Sequence, residues 1–297
     1  MRVVFASTLL ATLAAAQYPP NFIDFNGGET TGVGGFLQTL LGGLKPPVEV
    51  DASGGSGQYK AGWYEDPSLA NHTIYAPKEP PADAKFPLIV WGNGGCLALG
   101  QTHGILLTEI ASHGYVVIAN GRSGNDEVTF STSTDIFDGI NWAAEAAQSG
   151  TLQVDVTKVA SSGQSCGGMQ AYTATQDPRV KTTVIFNSGL LGDAADLRGQ
   201  LAATLKTPII YFLGGSRDIA YRNGLADFNA LTAAPAVLLS QNVGHQGTMS
   251  QPNGGKWAVQ AVEWLNWHLK GDDSVKAKFT TKGGLPDYAE HQFKNWA

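Results

Sequence analysis

Short apolar segments alternate with segments that carry apolar residues at helical spacing over most of the chain, and this alternation constrains the fold most. Residues 87–91, with the sequence PLIVW, are apolar throughout, which is typical of a strand buried on both faces. Strands that alternate with helices form a mostly parallel sheet with helices on both faces. We therefore predict an α/β fold, a three-layer sandwich around a mostly parallel central sheet.

The alternation predicts seven strands and six helices between residues 72 and 269. The strands are predicted at residues 72–75, 87–91, 115–119, 158–161, 183–186, 208–213 and 236–240. The helices are predicted at residues 104–112, 135–147, 166–175, 194–205, 224–231 and 257–269. No repeat or second domain interrupts this pattern, so we expect one domain.

The first residues have the features of a secretory signal peptide. Met1 and Arg2 supply a positive start, residues 3–15 are apolar or small, and Ala14–Ala16 offers a small-x-small cleavage site. The apolar run is shorter than the roughly 20 residues that cross a bilayer. We expect a signal peptide at 1–16, a Gly/Pro-rich N-terminal arm at 17–60, either wrapped on the domain or partly mobile, and the domain itself at 61–297.

Composition excludes some classes of partner. The 297 residues contain 19 basic and 25 acidic side chains, which gives a net charge of −6, and no run of Lys or Arg occurs. Nucleic-acid binding requires clustered basic residues, so we expect no nucleic-acid partner. We also expect a secreted monomer that does not enter a membrane. The sequon Asn71-His72-Thr73 predicts a glycosylation site at Asn71, in agreement with secretion.

The strongest chemical motif is Gly163–Gly167, with the sequence G-Q-S-C-G, between a predicted strand and a predicted helix. A serine on such a sharp turn, here Ser165, has a strained backbone and an exposed hydroxyl. The two glycines are needed where side chains would collide with the neighbouring strand and helix. The motif predicts a nucleophilic serine, and the alternative is a Gly-rich turn without chemistry.

A nucleophilic serine needs a base, and on this fold the base is a histidine that follows the acid in the chain. Three histidines follow Ser165. His245 lies in the loop after the last predicted strand, where such sites are assembled, whereas His268 lies in the closing helix and His291 in the polar tail. We predict His245 as the base, and we interpret the other two as surface residues.

The acid should follow a strand between the serine and the histidine. Asp218 comes just after the predicted strand 208–213. Asp193, Asp196 and Asp227 lie in or beside predicted helices, where solvated or capping roles are more common. We predict Asp218 as the acid, and a turn or capping role is its alternative.

Both cysteines belong to the predicted oxyanion hole, which needs two backbone N–H donors. One donor is that of Cys166, after the nucleophile, and the other is that of Cys96, or of Gly95 if the register differs by one. Because the two loops should meet, we predict a Cys96–Cys166 disulfide, with two independent buried thiols as the alternative. Two thiols without a His or carboxylate cluster do not build a zinc site, so no metal is expected.

These residues resemble the α/β-hydrolase superfamily over roughly residues 70–270. The motif 163–167, Asp218 and His245 carry the resemblance. The passage Ile110–Ala119 is similar to that of cutinase-like polyester hydrolases, chlorophyllases and dienelactone-hydrolase-like esterases. The loop G-N-G-G-C before residue 97 and the Cys after the nucleophile depart from that branch. The resemblance implies a cofactor-free serine hydrolase that acts on esters.

We therefore expect a secreted serine esterase whose substrate is a small-molecule or polymeric ester. Only residues 187–207 separate two predicted strands near the site, so we expect no large lid and an open cleft lined partly by Trp91 and Tyr221. His103 and His113 are interpreted as structural residues at helix ends. The alternatives are a lactonase, another acyl or C–C hydrolase with the same triad, and a noncatalytic secreted binding protein on this scaffold.

Overall fold

The chain folds into one nine-stranded sheet with helices on both sides, as a computed structural model shows. The structure describes residues 18–26, 48–124, 129–191 and 195–296. The predicted signal peptide at 1–16 lies outside the described residues. No helix in the described ranges is both long and apolar enough to cross a membrane. The architecture is α/β and is compatible with an α/β-hydrolase fold.

The sheet is mostly parallel, as the alternation predicted. Its spatial order is β1-β2-β4-β3-β5-β6-β7-β8-β9. The five neighbouring pairs from β4 to β8 are parallel, and only the outer strands β1, β2 and β9 pair antiparallel with their neighbours. The strands are β1 Ala61–Tyr64, β2 His72–Pro77, β3 Phe86–Gly92, β4 Val116–Asn120, β5 Val154–Gln164, β6 Val180–Phe186, β7 Ile209–Leu213, β8 Ala236–Ser240 and β9 Glu290–Lys294.

Six predicted helices are present with small shifts at their ends, and one further short helix follows them. They are α1 Gly104–Ser112, α2 Ser133–Ser149, α3 Cys166–Ala174, α4 Ala195–Thr204, α5 Tyr221–Ala230, α6 Gly255–Leu265 and α7 Lys276–Thr280. Short 3-10 turns lie at Gly94–Cys96, Gly215–Arg217, Pro252–Gly254 and Asp273–Val275. Between β6 and β7 the described chain contains the single helix α4.

Strand β3 shows how the core is divided between the two faces of the sheet. Its side chains point alternately to opposite faces, as in any strand. Leu88 and Val90 pack in a cluster with the buried residues of α2, whereas Ile89 and Trp91 pack in another with α1 and α6. All seven residues of the strand are buried, which explains why it is apolar without alternation.

The first described segment of the N-terminal arm, residues 18–26, packs on the domain beside α3. Phe25 is buried against the ring of Tyr172, and its N–H donates to Oγ1 of Thr173 at 3.0 Å. The backbone of Ile23 exchanges two hydrogen bonds of 2.8 Å with the side-chain amide of Gln176. This segment therefore lies on the helix that follows the G-x-S-x-G motif.

The closing helix differs from the prediction at one residue. The helix α6 continues as one π-helical turn, Asn266–Lys270, which contains His268. His268 is only partly exposed, since its ring centroid lies 4.2 Å from those of Trp264 and Trp267. Burial in this aromatic cluster lowers the pKa of the imidazole to about 3.

Candidate active site

The three residues predicted to cooperate follow three strands at the same edge of the sheet. Ser165 follows β5, Asp218 follows β7 and His245 follows β8. Because these strands are parallel, their carboxyl ends lie at one edge, and the loops after them meet there. The structure therefore brings together side chains that are far apart in the chain.

Ser165 occupies a sharp turn between β5 and α3. Its φ of 53° and ψ of −120° lie outside the regions that non-glycine residues commonly adopt. The neighbouring structure fixes this turn, since the N–H of Ser165 donates to Phe186 O at 3.0 Å. The residue is partly exposed, whereas its neighbours in the motif are buried.

Close backbone contacts explain the glycines of the motif. A Cβ atom on Gly163 would lie 2.3 Å from the carbonyl oxygen of Gly167. One on Gly167 would lie 2.0 Å from the carbonyl carbon and oxygen of Gly92, the last residue of β3. Both distances are far shorter than real contacts, and both involve backbone atoms rather than the end of a flexible side chain. The collision predicted from the sequence is therefore present at both positions.

The side chains of the three residues form a continuous chain of hydrogen bonds. Nε2 of His245 lies 3.0 Å from Oγ of Ser165, and Nδ1 lies 2.6 Å from Oδ1 of Asp218. An ionised Asp218 can only accept, which favours the tautomer with the proton on Nδ1. Nε2 is then free to accept the hydroxyl proton of Ser165. This arrangement can generate a nucleophilic alkoxide.

Backbone donors hold the carboxylate of Asp218 in place. Oδ2 accepts from the N–H of Gly214 at 3.1 Å, and Oδ1 accepts from that of Ala220 at 2.8 Å. The side chain has no exposed surface, so the carboxylate depends on these donors and on His245. Asp227 lies in α5, as predicted, but it is buried and pairs with Arg198 at 2.7 Å, so the solvated or capping role expected for it is wrong.

Cys96 and Cys166 form a disulfide with a Cα–Cα distance of 5.1 Å. The predicted pairing is therefore present, and the alternative of two independent thiols is wrong. The bridge joins the 3-10 turn Gly94–Cys96 to the first residue of α3. It thus fixes the spacing between the two loops predicted to supply N–H donors.

The backbone favours one of the two donors that the sequence left open in the first loop. The N–H of Cys96 donates to Asn93 O at 3.1 Å within the turn, which makes it a poor oxyanion donor. This contact favours Gly95 as the second oxyanion donor. The φ of Gly95 is 64°, in the left-handed region that glycine adopts without strain. Cys166 begins α3, where the first backbone N–H groups have no partner within the helix.

Of the two aromatic residues predicted to line a cleft, Trp91 does not. It is fully buried, its ring packs against Phe186 and His103, and its indole N–H donates to Asn93 Oδ1 at 2.8 Å. Its place in β3 turns the side chain into the core. Tyr221 is partly exposed, but its hydroxyl donates to Glu290, and its contact with substrate stays a prediction.

Sequence reasoning missed three polar side chains around the triad. Asn187 and Gln164 both donate from their side-chain amides to the carbonyl oxygen of His245, at 2.7 and 3.1 Å. The hydroxyl of Ser188 donates to the carbonyl oxygen of Ser165 at 2.5 Å. The only available signal was that Asn187 and Ser188 follow a strand at the same edge of the sheet.

The predicted glycosylation site lies at the surface. Asn71 is exposed, begins the turn into β2, and accepts a hydrogen bond from the N–H of Gly121 through its backbone oxygen at 2.6 Å. Its side chain is therefore accessible, and glycosylation stays a prediction. Within the described ranges, no group of three or more His, Cys, Asp or Glu side chains could hold a metal ion.

Comparison with models of known protein families gives no match, and no curated protein is similar enough to count as a relative. The chemistry of the site must therefore be argued from its own geometry.

Proposed function

We propose that this chain is a secreted serine hydrolase of the α/β-hydrolase superfamily that cleaves carboxylic esters through an acyl-enzyme. The observation that carries the proposal is the hydrogen-bonded series from Ser165 through His245 to Asp218. A strained, partly exposed serine at a strand-to-helix turn supports the same assignment.

In the acylation step, Oγ of Ser165 attacks the carbonyl carbon of the ester while Nε2 of His245 takes the hydroxyl proton. Asp218 stabilises the imidazolium through its bond to Nδ1. The tetrahedral intermediate places a negative charge on the former carbonyl oxygen. The N–H groups of Cys166 and Gly95 would donate to this oxygen. We prefer Gly95 to Cys96 because the N–H of Cys96 already donates to Asn93 O.

The intermediate collapses when the C–O bond to the alcohol breaks and His245 returns the proton to the leaving oxygen. Water then attacks the acyl-enzyme, and His245 takes a proton from that water. A second tetrahedral intermediate releases the carboxylic acid and restores the Ser165 hydroxyl. The proton transfers all use Nε2 of His245, which lies 3.0 Å from Oγ of Ser165.

Two observations support secretion as part of the proposal. A disulfide such as Cys96–Cys166 persists in oxidising compartments and is rare in the cytosol. The apolar segment at residues 3–15, after Met1 and Arg2, has the composition of a signal peptide.

The test is a panel of nitrophenyl esters with acyl chains from two to sixteen carbons, given to the wild type and to Ser165→Ala. We expect turnover of short acyl esters by the wild type and at least about a 10⁴-fold loss in the variant. Activity that survives in Ser165→Ala would contradict the proposal. A preference for the longest chains would contradict the open cleft, and inactivity on every ester and lactone would favour the noncatalytic scaffold.

A further inference from the structure

The end of β6 contributes no member of the triad, yet its next two residues contact both ends of the Ser165–His245 pair. Asn187 donates to the backbone oxygen of His245 at 2.7 Å, and Ser188 donates to that of Ser165 at 2.5 Å. These donors are consecutive in the chain, so the peptide unit between them has a fixed length. The two carbonyls are thereby tied to one short rigid segment.

The backbone conformation of Asn187 suits glycine, so the asparagine is explained by the hydrogen bond of its side chain to His245 O. Its φ is 45°, in the left-handed region that glycine adopts without strain. The residue is fully buried at the start of a loop, and its N–H donates to Phe212 O at 2.8 Å. Glycine would serve the backbone better, so the amide is the feature that distinguishes the residue present.

The side chain of Ser188 is buried and tightly packed against Gly168 in α3. It is 1% exposed, and a Cβ atom on Gly168 would lie 2.4 Å from its Cβ and Oγ atoms. The hydroxyl donates to the oxygen of Ser165. That oxygen also accepts from the N–H of Gly168 at 2.9 Å, in the first turn of α3.

Gln164 adds a second amide to the same histidine carbonyl. Its Nε2 donates to His245 O at 3.1 Å. Its Oε1 lies close to Gly94, where an added Cβ atom would be only 2.0 Å from this oxygen. This side chain is 2% exposed and lies between the histidine loop and the loop that contains Gly95. The His245 carbonyl is therefore held from two adjacent strands, β5 and β6.

We propose that Asn187 and Ser188, supported by Gln164, are positioning residues that set the distance between the Ser165 hydroxyl and the His245 imidazole. This inference rests on the proposed esterase function, because it concerns the same proton transfer. A displacement of about 1 Å between reacting groups can cost roughly 10²-fold in rate, so small shifts of these carbonyls matter.

The variants are Asn187→Gly, which keeps the left-handed backbone and removes the amide, and Ser188→Ala, which removes only the hydroxyl. The matched control is Ser162→Ala. Oγ of Ser162 donates to Val184 O at 2.8 Å, so the control loses the same kind of buried bond between β5 and β6 without touching the triad. All four proteins are compared as full chains that retain the disulfide.

We expect kcat to fall by about 10-fold or more in both site variants while KM changes by less than about twofold. The control should lose stability and keep its kcat. The proton on Nδ1 of His245, bonded to Asp218, is followed by NMR as a second readout that needs no turnover. It should shift or broaden in the site variants and remain at the wild-type position in Ser162→Ala.

Wild-type kcat and an unchanged proton signal in both site variants would overturn the positioning role and leave the esterase proposal standing. An equal loss in Ser162→Ala would also overturn it, because the effect would then be general loosening of the sheet. If the wild type shows the proton signal but cleaves no ester, the proposed function fails, and the shift of that signal still decides the positioning role. If one site variant does not fold, the other decides.

Discussion

Nε2 of His245 lies 3.0 Å from Oγ of Ser165, although 80 residues separate them in the chain. The strands that precede the two residues, β8 and β5, are not neighbours, since β6 and β7 lie between them. The contact therefore depends on loops that extend over the edge of the sheet. Those loops are held by buried polar contacts, among them the bonds from Asn187 and Gln164 to the carbonyl oxygen of His245.

Asp218→Asn tests the tautomer and orientation of His245. An amide can donate to Nδ1 and so favour the wrong tautomer, with the proton on Nε2. We expect kcat on a short ester to fall by roughly 10⁴-fold, with a small change in KM. Circular dichroism checks that the fold is retained. A variant that keeps more than a tenth of the wild-type kcat would contradict the role of Asp218.

The Cys96–Cys166 disulfide is expected to support both stability and turnover. The bridge closes a loop of 70 residues, and in the chain-entropy model its loss costs about 4 kcal/mol of unfolding free energy. The double variant Cys96→Ala/Cys166→Ala removes it without leaving a free thiol. We expect urea unfolding at lower concentration and a reduced kcat, because both oxyanion loops lose their link.

A thiol count checks the bridge directly. The unreduced, denatured wild type should contain no titratable thiol, and two thiols should appear after reduction. Two thiols before reduction would show that the bridge is absent in the native protein.

Gly167→Ala tests the close approach of α3 to the end of β3. The added Cβ would meet the carbonyl carbon and oxygen of Gly92 at 2.0 Å, so backbone must shift. We expect a loss of roughly 1–3 kcal/mol or more in unfolding free energy, together with a loss of kcat. Thermal unfolding and ester turnover measure the two effects.

The matched control is Gly199→Ala in α4, where an added Cβ would have no atom within 4 Å. Alanine favours an exposed helix interior by about 1 kcal/mol, so this variant should be at least as stable as the wild type. Equal behaviour of the two variants would contradict the packing argument.

The buried imidazole of His103 predicts a pH-dependent stability. Burial lowers its pKa to about 4, the charge of His245 acts in the same direction, and Gln164 opposes them. As the pH falls below about 6.5, His103 becomes protonated in the unfolded chain, whereas in the native state it stays neutral until about pH 4. The stabilisation present above pH 6.5 is therefore lost as the pH falls toward 4, by about 3 kcal/mol at most.

The measurement compares the wild type with His103→Asn, because other groups titrate in the same window. Burial raises the pKa of Asp227 to about 6, so its contribution has the opposite sign and declines as the pH rises from about 4 to 6. The difference in unfolding free energy between wild type and variant should decrease from pH 7 to pH 4. A difference that is constant over this range would contradict the prediction.

The local sequence was sufficient to predict the parallel sheet and the meeting of Ser165, Asp218 and His245. Buried parallel strands are apolar on both faces, so their positions are readable, and residues that follow them must lie at one edge. The pairing of Cys96 with Cys166 followed from the same logic. Each of these inferences uses the end of a strand rather than the details of side-chain packing.

Other features of the fold and the site could not be predicted, because no pattern in the sequence indicates them. Strand β9 has five partly exposed residues, EHQFK, without apolar alternation, and it exists because it pairs with β8. Trp91 was predicted to line the cleft, but both faces of β3 are covered, so its side chain lies in the core. Asn187 and Ser188 bond to backbone oxygens, which have no residue identity, and so only the folded structure reveals them.

The most direct measurement is labelling by a fluorophosphonate probe, with the modified residue identified by mass spectrometry. Only a serine whose hydroxyl proton is removed by a nearby base reacts quickly with such a probe. The account predicts one phosphonylated residue, Ser165, with labelling abolished in Ser165→Ala and strongly slowed in His245→Ala. Absence of labelling in the folded wild type, or modification at another serine, would contradict it.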